Sequence, residues 1–145
     1  MSFISDAINA KAEEDLLRRI VADDYHRNYV DPDFSAEEAW DRLVEYRKGG
    51  GLLCFNRTSI IRYARLDSDT VEFHCGNRGT PQELAEFLTV FLRELSAHVG
   101  VAITHFDNEK IVGLLSLVPV PYTVERVDDG KYRTFRAEFT ISGMH

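Results

Sequence analysis

Apolar residues recur every four positions near the start of the chain, at Ile8, Ala12, Leu16 and Ile20, with Leu17 and Val21 widening the stripe and Glu13, Glu14, Arg18 and Arg19 opposite. That spacing predicts an amphipathic helix. A second helix, about Ala36 to Lys48, is predicted after the Asp31-Pro32 break. Ser35 and Glu38 form a capping box, Phe34 can staple onto Ala39, Trp40, Leu43 and Val44 anchor the apolar face, and Gly49 to Gly51 stop it. The pattern then changes period. Leu52 to Phe55, Thr58 to Leu66 and Thr70 to Cys75 read as strands separated by Asn56-Arg57 and Asp67-Ser68-Asp69, turns short enough to impose an antiparallel meander.

Thr80-Pro81-Gln82-Glu83 supplies an N-cap, a proline at the first helical position and a glutamate at the third. Behind it Leu84, Phe87, Leu88, Phe91, Leu95 and Val99 line one face of a third helix, which Gly100 ends. Val101 to Phe106 reads as a strand and Asn108 to Leu117 as a short helix. Tyr122 to Val127 with Lys131 to Ile141 reads as a hairpin turned at Asp129-Gly130. The order is ααβββαβαββ, and the apolar Phe3-Ile4 pair allows a short first strand. With no repeat, linker or low-complexity segment, residues 1–145 read as one α/β (α+β) domain: a mixed, mostly antiparallel sheet with helices on both faces.

A chain of 145 residues is long enough to bury about two thirds of its unfolded surface without disulfides. Cys54 and Cys75 lie in predicted strands, read as small buried hydrophobes, and imply a reducing compartment, the cytoplasm. No basic-then-apolar leader occupies Met1 to Ala10, and no stretch approaches the about 20 apolar residues of a membrane span. With 24 acidic against 17 basic side chains, the charge of −7 disfavours nucleic acid. The five histidines, His26, His74, His98, His105 and His145, show no paired ligand spacing, so no metal is expected. His98 reads as a cation closing the third helix. Arg57, Arg62, Arg65 and Arg78, with Arg126, Lys131, Arg133 and Arg136, read as solvated strand positions able to receive an acidic partner, and the acidic first helix reads as a solvated face.

Two local segments give the order of elements a family likeness. Thr104 to Leu115 is a strand running into an asparagine, Asn108, that opens a helix, and His74-Cys75-Gly76-Asn77-Arg78-Gly79 joins the third strand to the long helix. In these placements and in element order along nearly its whole length, the chain resembles the GNAT (Gcn5-related N-acetyltransferase) superfamily, in particular short members encoded by tailed bacteriophages. The resemblance implies acetyl-CoA as cofactor, with its pyrophosphate in the loop Cys75, Gly76, Asn77, Arg78, Gly79, Thr80 and a further contact at Asn108. It also implies a base on the preceding strand, for which Glu72 and His74 share a face. The acid that protonates the leaving thiolate falls at Leu115, which cannot donate a proton, so Tyr122 is the remaining candidate. The loop departs from the family pattern as well. Gly76 stands where a basic or amide residue belongs, Pro81 removes a donor, and Glu83 puts a negative charge beside the phosphates.

These observations support two readings. In the first, the chain is a non-catalytic structural or binding component of a larger assembly, such as a virion, joined to a protein partner or to copies of itself. In the second, it is an acetyl-CoA-dependent N-acyltransferase acting on a protein or small-molecule amine.

Overall fold

The computed structural model describes residues 3–28, 35–106, 110–128 and 133–144. Ten elements follow one another: α1 (Phe3–Asn28), α2 (Ala36–Lys48), β1 (Leu52–Phe55), β2 (Ser59–Arg65), β3 (Thr70–Asn77), α3 (Pro81–Leu95), β4 (Val101–Phe106), α4 (Lys110–Leu115), β5 (Tyr122–Asp128) and β6 (Arg133–Thr140). The predicted order ααβββαβαββ is the observed one. The short first strand is not: Phe3 and Ile4 form the first turn of α1. A two-residue strand would need a ladder partner for its backbone, whereas at a helix start the carbonyls accept from amides four residues further on. The Asp31-Pro32 break, the Phe34 staple, Asn108 and the Asp129-Gly130 turn lie outside the described residues.

Helix starts follow the local chemistry. The Ser35 hydroxyl accepts from the Glu38 N–H at 3.1 Å, and Thr80 and Glu83 cap one another at the start of α3, with Pro81 as its first residue. The end of α3 differs from expectation. The helix stops at Leu95, and the amides of Ala97 and His98 bond back only three residues, to Glu94 and Leu95. His98 therefore lies beyond the helix it was expected to close. Val99 is still buried, because the Gly100 amide is drawn to Asp69, whose side-chain oxygen accepts at 2.8 Å.

The six strands lie in the order β1-β2-β3-β4-β6-β5. All neighbours are antiparallel except β3 and β4, which are joined through α3 and run parallel. Residues alternate between two faces, and each face has its own core. On one, Ile61, Val71, Phe73, Ala102 and Phe139 pack against the apolar stripe of α3 and against Leu114 and Leu115 of α4. On the other, α1 and α2 cover only the β1–β3 side through Leu17, Ile20, Leu43 and Ile60.

Phe73 sits at the centre of the larger core, 1% exposed, with Phe91 at 5.7 Å and Phe139 at 6.0 Å between ring centroids. Truncation there leaves a cavity among rings that cannot all move inward. Phe73→Ala is expected to destabilise the fold by about 3–5 kcal/mol in urea denaturation, whereas Val90→Ala, on the exposed face of α3, should change stability by no more than about 0.5 kcal/mol.

Candidate functional site

Among the described residues, one strand pair is parallel, and it is also the shortest in register. β3 and β4 pair through Thr70–Val101, Val71–Ala102 and Glu72–Ile103, and there the ladder stops. Both strands continue: β3 stays on β2 as far as Asn77, and β4 stays on β6 as far as Phe106. Beyond Glu72 they must therefore diverge, opening a gap whose walls are Phe73 to Asn77 on one side and Thr104 to Phe106 on the other.

Glu72 and His74 stand where the gap opens, on the face that α1 and α2 cover only in part. Their side chains meet, His74 Nε2 lying 2.9 Å from Glu72 Oε1. Both keep about a third of their side-chain surface, 29% for His74 and 33% for Glu72. Burial is the largest influence on the imidazole and holds its pKa below the ordinary 6.5; the Glu72 hydrogen bond pulls upward, while the Arg62 guanidinium and the neighbouring His105 push down further. Arg62 is the direct cross-strand partner of His74. His74 is therefore neutral at pH 7. With Nε2–H donating to the carboxylate, Nδ1 is the ring atom able to accept a proton.

Past Cys75, the chain turns into α3 through a loop organised by Asn77. Its buried carboxamide oxygen accepts from Ser59 Oγ at 2.9 Å and from the Gly79 amide at 3.0 Å, and its nitrogen donates to the carbonyls of Gly79 and Thr80. Gly79 is required there, since a Cβ would lie 2.8 Å from Cβ of Thr58. The backbone donors of this loop are engaged within the protein. The Asn77 N–H goes to Asp24 Oδ1 (2.9 Å), that of Arg78 to the Thr58 carbonyl (2.8 Å), and that of Thr80 to Glu83 Oε1 (2.9 Å). These bonds hold the Glu83 carboxyl below its usual range.

The coenzyme implied by the family resemblance thus meets two different surfaces. Between β3 and β4 the pairing ends at Glu72–Ile103, beside the Glu72–His74 pair. The loop, in this conformation, offers a diphosphate no free amide from Asn77 to Thr80, and Pro81 has none to give. The loop as it stands does not fit that group.

Other predicted positions are distributed differently. Tyr122 is opposite Phe139, 5.7 Å between rings, in the α3-side core. It is on the other face of the sheet from Glu72 and His74 and level with the closed end of the gap, so it does not join them. Leu115 is core, 1% exposed. Cys75, expected to be buried, is exposed and stands outside the residues of the α3-side core; the protein packed around its thiol nonetheless pushes its pKa up to about 12. Cys54 is partly buried, its thiol raised to about 11. The arginines of the meander do not act as one cluster: Arg62 lies over the Tyr46 ring, Arg65 bonds the Ser68 carbonyl, and Arg78 bonds the Arg57 carbonyl and pairs with Asp23 at 3.3 Å. A cavity of about 410 Å³ opens between α1 and α2, lined by Leu17, Trp40 and Val44 with Glu13 and Lys48 at its rim, and shares no residue with the gap. Among the described residues, no group of three or more His, Cys, Asp or Glu could hold a metal ion, and no helix is long and apolar enough to cross a membrane.

Sequence reasoning missed Asp23 and Asp24, which it assigned to a solvated face. The signal was present: two carboxylates near the C-terminal end of a helix oppose its dipole and need another reason to be there. Arg62 was missed as the neighbour of His74, which only strand register reveals.

The depressed His74 pKa has a measurable consequence. Below pH 6.5 the unfolded chain binds a proton that the folded chain resists, so stability rises with pH up to about 6.5 and levels off above it. The melting temperature of the wild-type protein is expected to fall as pH drops from 7 through 6.5. His74→Gln should remove that part of the slope and leave the steeper acid loss below the carboxylate range.

No family model matches the chain, and no curated protein matches it. Solved structures do. A spermidine N-acetyltransferase SpeG chimera from Vibrio cholerae and hSSAT is 13% identical, with 88% of this chain and 93% of that one covered at a TM-score of 0.57. The microcin C7 self immunity acetyltransferase MccE, in complex with acetyl-CoA and AMP, is 10% identical over 87% of this chain and 86% of its own, also at 0.57. A ribosomal-protein-alanine N-acetyltransferase from Brucella melitensis is 15% identical, covering 88% and 95%, at 0.53. At such identities the likeness is one of backbone architecture, and it agrees with the mixed, mostly antiparallel six-stranded sheet and its helices: the chain has the fold of the GNAT acetyltransferases.

Proposed function

We propose that the chain is an N-acyltransferase that moves an acyl group from a coenzyme A thioester to an amine, with its reaction centre where β3 and β4 part. The observation that carries this reading is the end of the parallel ladder at Glu72–Ile103, directly beside a hydrogen-bonded Glu72–His74 pair. An acyl thioester lying in the gap would supply the activated carbonyl. The chain's own contribution is at the amine. An ammonium group cannot attack a carbonyl, and neutral His74 can take its proton on Nδ1. Glu72 holds the ring in the tautomer that leaves Nδ1 free and stabilises the imidazolium that forms. As the C–N bond forms and the thioester C–S bond breaks, the coenzyme would leave as a thiolate that takes its proton from water, Leu115 and Tyr122 both lying in the α3-side core. The partial exposure of both side chains gives the acceptor access from the uncovered half of the α1–α2 face. Asn108 as a coenzyme contact remains part of this proposal.

The engaged amides of the loop favour a second reading, in which the same scaffold is a non-catalytic component that binds a protein partner or further copies of itself, as in a virion or another assembly. The overall charge of −7 argues against nucleic acid as that partner. On either reading, two unpaired thiols agree with a reducing cytoplasm.

One titration separates the readings. A coenzyme thioester present at about 100 times its dissociation constant stabilises a binder by ~2.7 kcal/mol. On the enzyme reading, acetyl-CoA raises the melting temperature and acetyl transfer to a panel of amines and lysine peptides is measurable. Glu72→Gln and His74→Gln should each lower kcat by about 10²–10⁴ with melting temperatures near that of the wild type. A melting curve that stays flat to millimolar acetyl-CoA removes the enzyme reading and leaves the assembly component.

A further inference from the structure

We infer that the last turns of α1 act as an internal competitor for the phosphate loop, with Asp24 occupying an amide that an incoming diphosphate would have to win. This rests on the coenzyme reading above and adds the element that controls access to it. Three α1 side chains on one helical face reach the loop across more than fifty residues of sequence. Asp24 accepts from the Asn77 N–H at 2.9 Å and packs over Gly76, where an added Cβ would lie 3.5 Å from its carboxylate oxygen. Asp23 pairs with Arg78 at 3.3 Å. Arg27 donates to the Gly79 carbonyl.

The chemistry of these contacts is that of an anion site already filled. A carboxylate takes the Asn77 donor, a second neutralises the loop's one arginine, and Glu83 takes the Thr80 donor from the helix side. A diphosphate arriving here would meet the carboxylates of Asp23, Asp24 and Glu83 alongside Arg27 and Arg78, and no spare N–H from Asn77 to Thr80, so reaching the Asn77 amide requires that Asp24 let go. The packing allows this. α1 is fixed to the sheet by the smaller of the two cores, Leu17 and Ile20 against Leu43 and Ile60, while α3 belongs to the larger one. Elements with fewer buried contacts open first. Withdrawal of the end of α1 would free the Asn77 amide and Arg78 together, without disturbing α3.

The experiment compares the wild type, Asp24→Asn and Asp24→Ala by calorimetric titration with coenzyme A and with inorganic pyrophosphate, and circular dichroism confirms that each is folded. Asp24→Asn keeps an acceptor without the charge, and Asp24→Ala removes both. The competitor predicts affinities at least about fivefold tighter in Asp24→Ala, with Asp24→Asn between it and the wild type. It also predicts that, in the wild type, ligand speeds amide hydrogen exchange in the last turns of α1. Wild-type binding with no gain in either folded variant, or with slower exchange at the end of α1, overturns the inference and leaves the coenzyme reading intact. Absence of binding by all three proteins removes the coenzyme reading and the competitor with it.

Discussion

The short parallel ladder between β3 and β4 is the constraint on which the rest of this structure depends. Two adjacent strands that run parallel cannot be joined by a tight turn, so α3 must cross over between them and pack on the sheet. The crossover sets the depth of the larger core through Leu88, Phe91 and Leu92, and it starts from the loop that follows β3. Because β3 stays with β2 and β4 stays with β6, two antiparallel halves are hinged on three residue pairs. The gap and the Glu72–His74 pair at its mouth are consequences of that single arrangement.

What was legible in the sequence is what short-range chemistry decides. Ser35 with Glu38, and Thr80 with Pro81 and Glu83, announce helix starts because their bonds span three residues, and those starts stand where expected. The meander was legible because its turns are short, and Glu72 and His74 shared a face because strand side chains alternate. The end of α3 was not legible. Val99 continues the apolar stripe, but the Gly100 amide is captured by Asp69, 31 residues away. Nor was the placement of Tyr122, which depends on the pairing of β5 with β6 and of β6 with β4. The contact between Asp24 and Asn77, 53 residues apart, has no local pattern at all.

The two faces of the sheet differ in how firmly they are made. The α3 side is a continuous core of aromatic and aliphatic side chains reaching from β2 to β6, while the α1–α2 side is a small apolar contact whose remaining adhesion is polar, through Asp23, Asp24 and Arg27. On the acyltransferase reading proposed above, donor and acceptor would enter from the more loosely attached side, the one that carries Glu72 and His74.

Asn77 gives this architecture an unusual economy. Its carboxamide takes two donors on its oxygen and satisfies two carbonyls with its nitrogen, from a site almost closed to water. A carboxylate could accept but not give, and a hydrocarbon could do neither, so replacing one NH₂ by an oxygen would set two carbonyls against a negative charge. The conformation of the whole turn is thereby written into one amide group, and hydrolysis of that group to a carboxylate would leave the carbonyls of Gly79 and Thr80 without their donor.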